Sequence, residues 1–106
     1  MPPHLCHAHD CQTPVPPRRF VCRMHWTMLE PRMRGAINRE YVDGQEVRKD
    51  PSPRYMAVQR LAVSTLAFKP HDEAAALVAA NYLAEAIEWR ERAIKAKLGD
   101  PLEGLL

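Results

Sequence analysis

Apolar residues in the second half of this 106-residue chain recur at intervals of three and four, whereas the first 30 positions show no such period. In DPSPRYMAVQRLAVSTLAFKP, Ala57, Val58, Leu61, Ala62, Thr65 and Leu66 fall on one face of a helix. Ser52 is a natural N-cap with Pro53 at the first helical position, and Pro70 marks the end. In HDEAAALVAANYLAEAIEWRERAIKAKLG, Leu77, Ala80, Ala84, Ile87, Ile94 and Leu98 make a second stripe, interrupted at Glu91. Acids open this long helix, Lys95 and Lys97 close it, and Gly99 is the stop. Val78, Tyr82 and Trp89 lie toward another face, which leaves one apolar side for a partner and predicts a homodimer through residues 71–98.

A shorter helix is expected after Pro31, with Met33, Ile37 and Tyr41 on one face. The Asp-Gly of VDGQE marks a turn, and a pair of short strands flanking it is the competing reading. TPVPPRRF is proline-rich and reads as an extended connector. DPLEGLL, after the last helix, is expected to fray.

The aperiodic N-terminal segment carries the distinctive chemistry. CHAHDC and CRMHW hold all three cysteines and three of the five histidines. Short Cys/His spacings in a chain with no expected export signal indicate metal rather than disulfides. Two tetrahedral sets compete: Cys6, Cys11, Cys22 and His25, or Cys6, His9, Cys22 and His25. Thiolate preference and full use of the cysteines favour the first. Either set would hold one structural zinc ion per chain, closed to water. Trp26, next to the last ligand, reads as a cover over the metal knuckle, and His4 and His7 as surface residues.

The fold class that follows is mainly α: a small zinc-knuckle head over residues 1–30, then a helical body of about three helices over 31–99, the last one long, and a flexible tail over 100–106. The longest apolar run, AAALVAA, is far too short to cross a membrane, and a cytoplasmic protein is expected. Net charge is only +2, but residues 18–60 hold ten Arg or Lys against five Asp or Glu. Arg18, Arg19, Arg23, Arg32, Arg34 and Arg39 in that stretch are candidate contacts for a partner or for nucleic acid.

No catalytic residues stand out. The only serines, Ser52 and Ser64, lie in no nucleophile motif, and there is no Gly-rich phosphate loop. The H-x-E and P-C-x-x-C signatures of zinc deaminases are also missing, so an enzyme is not expected.

The pattern running from Cys6, His7, Ala8 and Cys11 through Pro14, Val15, Pro16, Pro17 and Arg18 to Cys22, His25 and Trp26 continues with Tyr41, Gly44, Gln45, Glu46, Lys49, Pro51, Ser52 and Tyr55. It resembles small uncharacterised, zinc-ribbon-like proteins of proteobacterial phages and prophages, over roughly residues 5–68. Those proteins carry glycine where Asp10 stands and no fixed histidine at position 9, which strengthens Cys11 as the fourth ligand. The resemblance implies an accessory protein of mobile elements in a bacterial host cell. The first expectation is protein–protein recognition of a bacterial or phage protein, extending to inhibition of a host defence system. A nucleic-acid-binding zinc module using the Arg-rich segment 18–39 is the alternative.

Overall fold

A computed structural model describes residues 4–106; the first three residues assigned to the head lie outside the described residues. The architecture is mainly helical, with a small Cys/His-rich N-terminal region and a long C-terminal helix. β1 (His4–Leu5) pairs antiparallel with β2 (Pro14–Val15), His4 opposite Val15 and Leu5 opposite Pro14. α1 (Arg23–Met28) and α2 (Pro31–Glu40) follow, then the short α3 (Gln45–Arg48), α4 (Pro53–Ala67) and α5 (Glu73–Lys95). Three of these five helices match the expected ones; α1 and α3 are too short to show a period. The strand pair considered around VDGQE does not form. Gly44 takes φ 84°, a left-handed turn that suits glycine, and the chain goes directly into α3.

Local signals set the helix starts. The Ser52 side chain accepts from the Tyr55 amide at 3.1 Å, and Asp72 accepts from the Ala75 amide at 3.0 Å. α4 and α5 form an antiparallel hairpin. Near its closed end the Ser64 hydroxyl donates to the Ala79 carbonyl at 2.7 Å, and at its open end Arg54 donates to the Leu98 carbonyl at 2.6 Å. Gly99, at φ 85°, lets the chain turn there; a Cβ on it would meet the Arg54 guanidinium at 3.2 Å.

α4 is the centre of the molecule. Its buried residues are not the expected single stripe: Ala57, Val58, Gln59, Leu61, Ala62, Val63 and Ser64 are all buried, because α2, α5 and the head surround it. α5 departs further from expectation. Its buried positions are Ala79, Ala86 and Ala93, one every seven residues, flanked by the half-buried Tyr82, Leu83 and Trp89. The expected stripe faces outward, with Leu77 64% and Ile94 and Leu98 each 46% exposed. Alanine's single methyl lets the two helix backbones approach closely, and the ring edges of Tyr82 and Trp89 fill the flanks.

The expected flexible tail is instead docked. Pro101 and Leu102 are buried, the Asp100 carboxylate accepts from the Leu102 amide at 2.9 Å and pairs with Arg90 at 3.1 Å, and Arg32 donates to the Gly104 carbonyl at 3.0 Å. The tail thus returns from the end of α5 to the start of α2. No helix among the described residues is long and apolar enough to cross a membrane.

One ion pair ties α2 to this hairpin. Glu40, whose side chain is 9% exposed, accepts from Arg54 at 2.9 and 2.7 Å in a two-pronged contact. Those bonds hold its carboxyl below the ordinary carboxylate range. A depressed folded pKa means the contribution is complete above the unfolded value, near 4.5, and is lost as pH falls through the folded one. Glu40→Gln is therefore expected to lower stability at neutral pH by about 1–3 kcal/mol and to flatten the acid limb of the stability curve. Urea denaturation at a series of pH values checks this; parallel acid limbs for the two proteins would refute it.

Candidate metal centre

The head folds around side chains that its loops turn inward. The Cys6 amide donates to the Thr13 carbonyl at 2.8 Å, closing a loop over residues 6–13 just beyond the two-stranded ladder. The loop reverses at Asp10, which takes φ 61°, and the Cys11 amide donates back to the Ala8 carbonyl at 3.1 Å. After β2, a turn closed by the Arg19 amide on the Pro16 carbonyl brings the chain back, and the His7 amide donates to the Phe20 carbonyl at 2.7 Å. That pairing delivers Cys22 to the N-cap of α1. Cys22 and His25, three residues apart across the first helical turn, then face the same way.

Cys6, Cys11, Cys22 and His25 consequently converge, their ligand atoms all within 4.8 Å of one another. His25 Nδ1 lies 3.5 Å from Cys6 Sγ and 3.2 Å from Cys22 Sγ, and the Cys22 amide donates to Cys6 Sγ at 3.2 Å. A tetrahedral ion with metal–sulfur bonds of about 2.3 Å and metal–nitrogen bonds of about 2.0 Å needs donor–donor edges of roughly 3.5–3.8 Å. The cluster is therefore compatible with a metal site. Cys6 and Cys22 are buried while Cys11 and His25 are half-buried, so the site sits at the edge of the core rather than in a cleft.

Burial pushes the Cys6 thiol up to about 11. Cys11 moves the other way, lowered chiefly by hydrogen bonding with the Thr13 hydroxyl and backbone. Without an ion, the buried sulfur is therefore a neutral thiol, and loading the site must release protons.

His9 is not part of the cluster. Its ring pairs with the Asp10 carboxylate at 3.4 Å and meets the Tyr82 ring edge-on, so it packs against α5 instead. The six arginines are also not brought together. Successive side chains on a helix point about 100° apart, so Arg32 and Arg39, seven residues apart, fall on one side of α2 while Arg34 is turned roughly to the opposite side. Arg32 is held by the tail carbonyl and Arg39 by Glu40, while Arg23 is exposed on α1.

Arg18 and Arg19 do meet other chemistry. They line a cavity of about 280 Å³ with Phe20, Trp26, Ile37, Tyr41 and Tyr55. An adjoining groove of about 470 Å³ continues past Phe20, Tyr41 and Tyr55 to Lys49, Met56 and Arg60. The head's return segment is one wall of this cleft; α2, α3 and α4 supply the other. Arg18 pairs with Asp43 at 2.9 Å and lies over the Tyr41 ring, 5.8 Å from its centroid. Tyr41 donates to Glu46 at 2.5 Å, which holds the Glu46 carboxyl below its usual range, and burial pushes the Tyr55 phenol up to about 12.

Lys49, Arg60 and Phe20 were not among the sequence candidates. The available signal was the run from Tyr41 through Gln45 and Glu46 to Tyr55. Its residues build the corner between α2 and α4: Gln45 Oε1 accepts from the Val42 amide at 3.1 Å, and Ser52 caps α4. No protein-family model, no curated protein and no solved structure matches this chain, so its function has to be read from this cluster and the cleft beside it.

Proposed function

We propose that Cys6, Cys11, Cys22 and His25 hold one structural zinc ion, and that the chain is a non-enzymatic recognition module binding a protein segment in the cleft beside that ion. Three thiolates and one imidazole are a soft, tetrahedral donor set of the kind zinc takes in structural sites. With four protein donors the coordination sphere is full, and no position is open for a reacting water. The observation that carries the reading is the continuity between ion and cleft: Cys22 follows Phe20 and Val21, which line the cavity, and Trp26 follows His25. Zinc would therefore hold one wall of the cleft in place.

The lining supports a protein partner. Trp, Tyr and Arg are the residues that dominate binding energy at interfaces, especially around an enclosed apolar pocket. Phe20, Trp26, Tyr41 and Tyr55 offer a seat for an aromatic or aliphatic anchor. Arg19 and Lys49, with Arg18 paired to Asp43 and Arg60 paired to Glu85, outnumber the one lining acid, Glu46. The expected ligand is an acidic segment with one large apolar side chain, carried by a bacterial or phage protein in the setting that the resemblance implies. Inhibition of a host defence protein would be one use of such binding. The dispersal of the six arginines weighs against a nucleic-acid track.

Selection from a displayed peptide library tests this, alongside titration with mixed-sequence single- and double-stranded DNA. Acidic peptides with an apolar anchor are expected to bind. Arg19→Glu, at an exposed position whose side chain makes no hydrogen bond or ion pair within the described residues, is expected to weaken them about tenfold or more without changing the fold. Salt-dependent DNA binding with no selected peptide would replace this reading with the nucleic-acid one.

A further inference from the structure

The outward face of α5 carries a pattern that the monomer does not use. Leu77, Ala80, Ala84, Ile87, Glu91 and Ile94 alternate strictly by three and four, and Leu98 follows just past the helix end. Leu77, Ile94 and Leu98 are largely exposed, and Ile87 is half-buried. This seam lies roughly 130° around the helix from the alanines that meet α4 and runs about 25 Å along it. A 3.5-residue repeat sustained over about two and a half heptads is the spacing by which one helix follows another in a coiled coil. The packing on α4 does not account for it, since that packing uses Ala79, Ala86 and Ala93.

We infer that the seam pairs with the same seam of a second copy of this chain, antiparallel, so that the molecule assembles as a two-fold dimer through α5. Charge selects both the occupant and the direction. α5 has Asp72 and Glu73 at its start and Arg92, Lys95 and Lys97 at its end. An antiparallel copy lays each acidic start against the other's basic end and opposes the helix dipoles. A parallel copy would instead stack Glu91 on Glu91 and bring Arg90 beside Lys95, like against like.

In the antiparallel register centred between Ala84 and Ile87, Leu77 faces Ile94 of the second copy, Ala84 faces Ile87, and Glu91 faces Ala80. The small Ala80 leaves the Glu91 carboxylate a path to water, and a single polar residue in a seam fixes register at some cost in stability. The second copy would thus cover an apolar strip that lies on a different face from the cleft.

Sedimentation equilibrium over a wide concentration range tests the inference on four proteins: wild type, Leu77→Glu, Ile94→Lys, and the two changes combined. Both positions are exposed, so the monomer fold should survive, and circular dichroism verifies this. Wild type is expected to reach twice the 12.1 kDa chain mass. Each single change should return it to the single mass. The combined variant should regain the dimer, because antiparallel pairing sets Glu at 77 against Lys at 94 of the other copy. A wild type that stays at the single mass overturns the proposal, as does a dimer indifferent to Leu77→Glu. A combined variant that remains single overturns the antiparallel seam.

Discussion

Cys22→Ser protein is expected to purify without zinc and with an unfolded head, whereas wild type is expected to carry one zinc ion per chain. Apparent binding energies for structural zinc in small peptides are about 10–16 kcal/mol, as large as the entire stability of a typical domain, about 5–15 kcal/mol. Cys22 is 7% exposed, its amide donates to Cys6 Sγ, and its own sulfur is 3.2 Å from His25 Nδ1. The substitution therefore removes a donor and leaves two other thiols and an imidazole without their common partner.

The head has little regular structure of its own, although Val15, Phe20 and Val21 are buried in the main core. Its ladder is two residues per strand, and α1 is six residues long. The Cys6 and His7 amides, bonded to Thr13 and Phe20, should lose protection from hydrogen exchange, while α4 and α5 keep more of theirs. Native mass spectrometry reads the metal directly. Cys11→Ser should also lose zinc, and His9→Ala should keep it, because His9 lies against Asp10 and Tyr82. A folded wild type without metal would reduce the cysteines to packing residues, and the zinc proposal would fail.

The second large effect concerns the tail. Leu102 is 1% exposed within the main core, and Leu102→Ala is expected to cost about 2–5 kcal/mol, the range for emptying a buried leucine site. In a chain of this size that corresponds to a fall in melting temperature on the order of 10 °C or more. Leu106, four residues on and 69% exposed, provides the control: Leu106→Ala should change stability by less than about 0.5 kcal/mol. Equal melting temperatures for the two variants would mean that the tail does not dock. The comparison also separates loss of burial from loss of the Arg32–Gly104 and Arg90–Asp100 contacts, which neither change removes.

Both effects bear on how the fold is written in the chain. The metal cluster was legible because its information is local: Cys6 and Cys11 share one loop, Cys22 and His25 one helical turn, and the type of donor is chemistry rather than geometry. The choice between Cys11 and His9 was harder. Both lie in the same short loop, and only the reversal at Asp10 decides which of them turns toward Cys22. The cleft was legible only in pieces, as Arg18 and Arg19 and the run from Tyr41 to Tyr55. Phe20, Tyr41, Tyr55 and Arg60 are distant in sequence and become neighbours only when the head lies against α4.

The sequence by itself determined the mainly helical class, the Ser52 start of α4, and three of the metal-compatible donors, Cys6, Cys22 and His25, with Cys11 favoured over His9 as the fourth. It could do so because capping, proline geometry and close Cys/His spacing act within a few residues. Tertiary structure alone decided which side of α5 is buried, where the last seven residues go, and which arginines share a surface. α5 offers two faces of similar apolar content, and its own periodicity cannot choose between them. α4 chooses, because close approach favours the alanine face and leaves the larger aliphatic side chains outside.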